Sequence, residues 1–280
     1  MGDRLGIIAG SGEFPVLAAA EARRRGIEVV VAAVRGEADP GLAERVSGVE
    51  WFDVDDAAGL SAFLVNRGIR NVLLAGKVRP EAALRTAGGN SAAEGIRREA
   101  RGGSPALLVA SLIRYLEAQG IRVEDPTPFL CSLFCPPGIL TRTPVSPGIS
   151  EEVAYGFKIA RLLADADIGQ TVIVKGRMTI AVEGIEGTDR AILRGGELAG
   201  PGTVVVKVGR SNQDPRIDLP GVGLDTVRSL VAARAAALAI EAGRVLFVGR
   251  EGAVALAESR GISLLAVRDP EIPADFRRQS

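Results

Sequence analysis

The stretch LGIIAGSGEFPVLAAAEARRRGIEVVVAAV, residues 5–34, decides how the first half of the chain folds. It opens with an apolar run that ends at Gly10, as a short buried strand does. Gly10-Ser11-Gly12 then turns the chain into FPVLAAAEARRRG, which has helical composition, a basic last turn and Gly26 as its terminator. IEVVVAAV returns to an unbroken apolar run. Strand, helix and strand in this order form a βαβ unit, and such units build a parallel sheet covered on both faces.

The rhythm continues with strands in VEWFDV (49–54) and NVLLAGKV (71–78) and a helix in LSAFLVNRG (60–68) between them. SPALLVASLIRYLEAQG (104–120) reads as an amphipathic helix, with Ser104 as N-cap, Pro105 at its first position and Gly120 at its end. Six prolines then fall within EDPTPFLCSLFCPPGILTRTPVSPG, residues 124–148. That tract predicts a mostly irregular connection and a domain boundary.

A helix resumes in SEEVAYGFKIARLLADAD, with Ser150 as its N-cap. Strands follow in QTVIVKG, TIAVEG, TVVVKV, RVLFVG and SLLAV, with a helix over roughly 225–243 and a short one near 252–260. The first of these strands are close enough for hairpins, which predicts a mixed sheet. The expectation is an α/β protein with an N-terminal domain at 1–135, a Pro-rich connection at 136–149 and a C-terminal α/β domain at 150–280. The tail RDPEIPADFRRQS is polar and expected to be loosely held.

Composition removes whole classes of function. Lys+Arg and Asp+Glu balance at 34 each, so the chain lacks the basic excess of a general nucleic-acid binder. It has no histidine, which rules out Ser-His-Asp, Cys-His and His-metal chemistry together. Any metal must then be held by oxygen, which favours Mg²⁺, Mn²⁺ or Ca²⁺. Cys131 and Cys135 read as free thiols of a cytoplasmic protein. No signal peptide and no run of about 18 apolar residues is legible.

Four stretches carry residues suited to chemistry. Gly10-Ser11-Gly12 offers close backbone approach and free N–H groups to an anion, or simply a tight turn. Lys77, in LLAGKVRPE, follows a buried strand and should share an edge with that turn. TIAVEGIEGTDR crowds Glu183, Glu186, Thr188 and Asp189 at one strand end, and Gln170 enters the preceding strand as a polar anchor. VVVKVGRSNQDPRIDLPGVGLDTV places Lys207 on an apolar strand, then Arg210, Asn212, Gln213, Asp214, Arg216 and Asp218 in a loop before a helix. Bases for phosphate oxygens and acids for a divalent cation suit a metal-bound pyrophosphate; self-paired surface charges are the plain alternative.

Taken in order, GIIAGSGEFP, AGKVRPE, PPGILT, DIGQTVIV, AVEGIEGTDR and QDPRIDLPGVGLDTV resemble the UDP-2,3-diacylglucosamine diphosphatases of the LpxI type, enzymes of lipid A biosynthesis. The resemblance implies a Rossmann-like N-terminal half, a family-specific C-terminal half and a cleft between them. It implies Mg²⁺-dependent (or Mn²⁺-dependent) hydrolysis of the substrate to UMP and 2,3-diacylglucosamine 1-phosphate, lipid X. On that resemblance Asp218 and Asp214 bind metal or activate water, and Glu186, Asp189 and Thr188 line the same site. Lys207, Gln213 and Arg216 hold the diphosphate, while Gly10, Ser11, Gly12 and Lys77 touch the substrate from the other domain. VGRSN departs from the expected pattern, so Arg210 takes over a phosphate contact. RTAGGNSAAEGIRREARGG, 85–103, is not family-like. A cytoplasmic enzyme with peripheral inner-membrane contact is implied, and a homodimer stays open.

Two rivals stand beside this reading. A nicotinamide-dependent oxidoreductase needs an acid near the end of the second strand, where Arg35 and Glu37 stand. A non-catalytic sugar-nucleotide binder keeps the phosphate cradle and has no need of Asp214 and Asp218.

Overall fold

The computed structural model describes residues 4–79, 91–100 and 105–268. The predicted N-cap Ser104, the end of the RPE motif, most of the glycine-rich 85–103 segment outside 91–100 and the polar tail lie outside the described residues. The chain divides into two compact units: Met1–Cys131 with the short segment Asp214–Asp218, and Ser132–Gln213 with Leu219–Ser280.

In the first unit the order is β1 (Arg4–Ala9), α1 (Phe14–Arg24), β2 (Glu28–Val34), α2 (Leu42–Arg45), β3 (Val49–Phe52), α3 (Ala57–Asn66), β4 (Asn71–Ala75), α4 (Ser91–Glu99), α5 (Pro105–Ala118), β5 (Arg122–Val123) and α6 (Thr127–Leu130). The five strands form one sheet in the order β3-β2-β1-β4-β5, every neighbouring pair parallel. The inner strands are buried along nearly their whole length, as a sheet covered on both faces requires. Ile8, Val30, Leu64, Val72 and Leu116 share one core, and Ile217 from the returning segment packs against it.

The second unit runs β6 (Gly138–Ile139), α7 (Pro147–Asp165), β7 (Thr171–Lys175), β8 (Met178–Val182), α8 (Thr188–Ala199), β9 (Val204–Lys207), β10 (Gly221–Val222), α9 (Leu224–Ala232), β11 (Ala237–Glu241), β12 (Leu246–Phe247), α10 (Arg250–Ser259) and β13 (Ser263–Val267). Its main sheet has the order β6-β13-β11-β9-β7-β8. β9, β11 and β13 are parallel, whereas β7, β8 and β6 pair antiparallel, so the sheet is mixed as expected. One face carries α7 over Val172, Val204, Val206, Ala237 and Ala239. The other carries α8, α9 and α10 over Ile173, Val205, Leu238 and Ile240.

Three elements differ from the sequence reading. The helix expected to start at Ser150 begins at Pro147, and the hydroxyl of Ser146 caps it by accepting from the Ile149 amide; Ser150 lies inside the helix, buried. The helix expected over 225–243 stops at Ala232, and ALAIE at 237–241 is a strand. Its alanines suggest helix, but both faces of β11 are buried between β9 and β13, and tertiary packing overrides propensity there. The turn read into IEGTDR is the start of α8, which has no side-chain N-cap to announce it.

Candidate functional site

In the first unit, β1 and β4 are neighbours at the point where strand order reverses, which is where ligands bind in open parallel sheets. The turns leaving these two strands are locked together. Ser11 and Lys77 exchange backbone hydrogen bonds of 2.8 and 3.1 Å, and the Ser11 hydroxyl also donates to the Lys77 carbonyl at 2.9 Å. This contact requires glycines. A Cβ on Gly10 would sit 2.4 Å from the Lys77 carbonyl oxygen, and one on Gly76 would sit 2.5 Å from that of Ser11. The predicted shared edge of Gly10, Ser11, Gly12 and Lys77 is therefore one interlocked turn, with the Lys77 side of it exposed.

Beside it stands the acid that the oxidoreductase reading would use. Glu37 is buried, and Arg79 holds both of its carboxylate oxygens, with its amide at 2.9 Å and its guanidinium at 2.8–2.9 Å. Arg79 thus occupies the group that a ribose would need.

In the second unit, two largely buried ion pairs sit at the carboxyl ends of the inner strands β9 and β11, on opposite faces of the sheet. Strand alternation places Lys207 with Val205 on the α8 face and Glu241 with Ala239 on the α7 face. On the α8 face, Lys207 Nζ donates to Thr188 Oγ1 at 2.5 Å, and that hydroxyl donates to Glu183 Oε1 at 2.8 Å. Lys207 Nζ is 3.8 Å from Glu183 Oε2, which also accepts the Gln170 amide at 3.3 Å. Burial pushes the Glu183 carboxyl up, but Lys207 and these hydrogen bonds outweigh it and hold the group below the usual carboxylate range.

On the α7 face, Glu241 accepts from the Arg161 guanidinium and, at 2.9 Å, from the Gly209 amide. Arg161 donates to the Gly209 carbonyl as well and stacks over Phe157. Asp165 binds Ser211 through amide and hydroxyl at 2.6 and 2.7 Å, and Arg244 donates to the carbonyls of Arg210 and Ser211. The loop after β9 is thus fastened by side chains from α7, β11 and the turn behind it.

The predicted residues on that loop pair locally. Arg210 turns its guanidinium to Asp167, and its amide donates to Gln213 Oε1 at 2.9 Å. Asp214 and Arg216, in the segment that belongs to the first unit, form a close pair at 2.8 Å, and Arg216 also reaches Glu117 at 3.3 Å. The Arg216 guanidinium holds the Asp214 carboxyl below its ordinary value. The Asp218 amide donates to the Asp214 carbonyl at 3.3 Å, so both acids lie on one short turn.

Glu186 and Asp189 sit apart from the Glu183 cluster. Glu186 pairs with Arg194 on α8, whose guanidinium lowers its carboxyl, and Asp189 is exposed on the first turn of that helix. Glu183, not named among the catalytic candidates, is the largely buried acid of this cluster, 13% exposed at its side chain. Its signal was present: Ala181 faces the core, and a period of two carries Glu183 to the same face.

Among the described residues no group of three or more histidine, cysteine or acidic side chains gathers to hold a metal. A preformed protein cage is therefore absent there. Mg²⁺ commonly takes only one or two carboxylates together with substrate phosphates and water; of the two acids named for it, Asp214 has both oxygens engaged by Arg216. No helix among the described residues is long and apolar enough to cross a membrane.

Comparison with known proteins completes the picture. The family model of the LpxI N-terminal domain matches residues 4–133, and that of the LpxI C-terminal domain matches residues 136–265. The chain belongs to the LpxI family. Within that family, the UDP-2,3-diacylglucosamine pyrophosphatase LpxI of Caulobacter vibrioides is 31% identical over 281 residues, covering 96% of this chain and 99% of that protein. The LpxI resemblance drawn from the motifs thus extends over nearly the whole chain. Among solved structures, CobK precorrin-6A reductase gives a TM-score of 0.34 at 13% identity, covering 97% of this chain and 90% of that one. UDP-glucose 4-epimerase of Thermus thermophilus, in complex with NAD, gives 0.32 at 14%, covering 96% and 87%. At such scores neither bears on fold or function.

Proposed function

We propose that this LpxI-family chain hydrolyses the pyrophosphate of UDP-2,3-diacylglucosamine in lipid A biosynthesis. The observation that carries this reading is its end-to-end correspondence with the Caulobacter pyrophosphatase. The reaction adds a water oxygen to one phosphorus and breaks the bridging P–O bond, giving UMP and 2,3-diacylglucosamine 1-phosphate. The substrate's acyl chains bring the protein into peripheral contact with the inner membrane.

The chain's residues divide this work by charge. Lys207, Arg210 and Arg216, with Gln213, supply cations and a polar contact for the diphosphate. Gly12 and the exposed Lys77 offer an amide and a cation to the substrate, while Gly10 and Ser11, whose donors bond Ala75 and Lys77, hold that turn in shape. Asp218, on the same turn as Asp214, orients the water, and Glu186 and Asp189 line the site. Mg²⁺ held by Asp214 and Asp218 would neutralise the diphosphate and lower the pKa of bound water.

The test is UMP release from UDP-2,3-diacylglucosamine by the purified full chain, with Mg²⁺ and with EDTA. Metal-dependent release of UMP and lipid X in equal amounts supports the reading. Tight binding of the substrate with no release under any divalent cation favours the non-catalytic sugar-nucleotide binder.

A further inference from the structure

Lys207 is a buried ammonium, 5% exposed, at the carboxyl end of a central strand. A lysine in such a place tends to lose its proton, because burial disfavours the charged form. A neutral amine cannot attract a diphosphate. Something must hold the charge in place.

Several elements bring groups to or near Lys207. From the end of β8 comes Glu183, 3.8 Å away. From α8 comes the Thr188 hydroxyl, which accepts from Lys207 and donates to Glu183. Just before β7 the Gln170 backbone amide binds the other oxygen of the same carboxylate, and Thr171 of β7 lies opposite Lys207 in register. On β11, Glu241 lies on the opposite face and is taken by Arg161. After β9, Arg210 turns to Asp167, and on α9 Asp225 pairs with Arg228. Within this set Glu183 is the acid placed to balance Lys207.

The hydroxyl adds a second point. Thr188 spends its proton on Glu183 and receives one from Lys207. It therefore links the pair, and its hydroxyl has no proton to give a phosphate oxygen while that bond stands. This alters the role given to Thr188 in the motif: it serves the cation more directly than the substrate.

We propose that Glu183, acting through Thr188, is a positioning residue that keeps Lys207 as an oriented ammonium for the diphosphate. The role rests on the diphosphatase reading for its purpose, but its physical core is testable without substrate.

The experiment compares the wild type with Glu183→Gln in the full chain. Gln keeps an acceptor for Thr188 and removes the charge. The Lys207 side-chain carbon next to nitrogen is followed by NMR as pH rises, with Lys207→Arg spectra to assign it. The titration is expected to move to lower pH by about one unit or more in Glu183→Gln. The same shift should appear in the basic limb of kcat/KM for UDP-2,3-diacylglucosamine, about tenfold lower than wild type at high pH and close to it near pH 6. Adding Lys207→Arg, whose charge does not titrate, should abolish the shifted limb. An unchanged Lys207 titration overturns the proposal, whatever the activity. A shifted titration in Glu183→Gln, when the wild type hydrolyses nothing, supports the charge role and sinks the diphosphatase reading instead. If Glu183→Gln does not fold, Glu183→Ala, which also removes the charge, is read in the same way: a shift of the Lys207 titration to lower pH supports the proposal and none overturns it.

Discussion

The Lys207 ammonium and the Glu183 carboxylate lie 3.8 Å apart with only 7% and 13% of their side chains exposed, and the Thr188 hydroxyl bridges them. The pair comes from two strands separated by β7 in the sheet, so it also fastens the end of β8 to the end of β9. Removing one partner leaves the other charged and buried. Glu183→Ala should cost about 3–5 kcal/mol, while the double replacement Glu183→Leu with Lys207→Met should cost less than Glu183→Ala alone. Urea unfolding of the single and double variants measures both.

The same acid makes stability depend on pH with a definite sign. The folded-state carboxyl lies below the unfolded one, so its contribution is fully present above the ordinary glutamate value, about 4.3. It is lost as pH falls through the lower folded value. Wild-type stability should therefore drop in acid below about pH 4, and Glu183→Gln should lose part of that dependence. Unfolding free energies at several pH values between neutral and acid check the sign.

A third expectation concerns the interlocked turn of the first unit. Gly76 has φ of +88°, and a Cβ there would meet the Ser11 carbonyl oxygen at 2.5 Å. Gly76→Ala should destabilise the protein by about 1–3 kcal/mol, since both backbone strain and a clash with main-chain atoms arise. Gly12→Ala has the positive φ but open space around it, so its cost should be smaller. Thermal melting of the two variants side by side separates strain from clash.

The clamp on the loop after β9 gives a fourth. Glu241→Ala leaves Arg161 without its buried counter-charge and the Gly209 amide without its acceptor. A loss of about 3–5 kcal/mol is expected in urea unfolding. Asp165→Ala removes the Ser211 contacts at the exposed end of the same loop and should cost about 1 kcal/mol.

The two acids of the QDPRIDLP turn should behave differently. Asp218→Ala is expected to lower kcat by about a hundredfold or more, the usual scale for a group that orients water, with little change in melting temperature. Asp214→Ala should also release Arg216, so Arg216→Ala in the same background should add less than it does alone. Steady-state kinetics of the four proteins in that cycle reads the coupling.

Much of this was legible in residue order. The run from Leu5 to Val34 announces parallel strands because no polar residue interrupts β1 or β2 beyond their first positions. The edge shared by Gly10 and Lys77 follows from placing both after buried strands. The strand β11 was hidden because ALAIE suits a helix by propensity, and only its place between two parallel neighbours makes it a strand. The start of α8 was hidden because Gly187 and Thr188 offer no cap. Arg161 and Glu241 lie 80 residues apart, and nothing local links them. Glu183 was readable from strand alternation, but the denser cluster of Glu186, Thr188 and Asp189 drew the reading toward the turn.

Hydrolysis by water at the pyrophosphate is tested most directly by isotope labelling. UDP-2,3-diacylglucosamine is incubated with the full chain and Mg²⁺ in ¹⁸O-labelled water, and both products are weighed by mass spectrometry. The account predicts UMP and lipid X in equal amounts, with one ¹⁸O atom in one of them. Recovery of intact, unlabelled substrate with every divalent cation tried would contradict it.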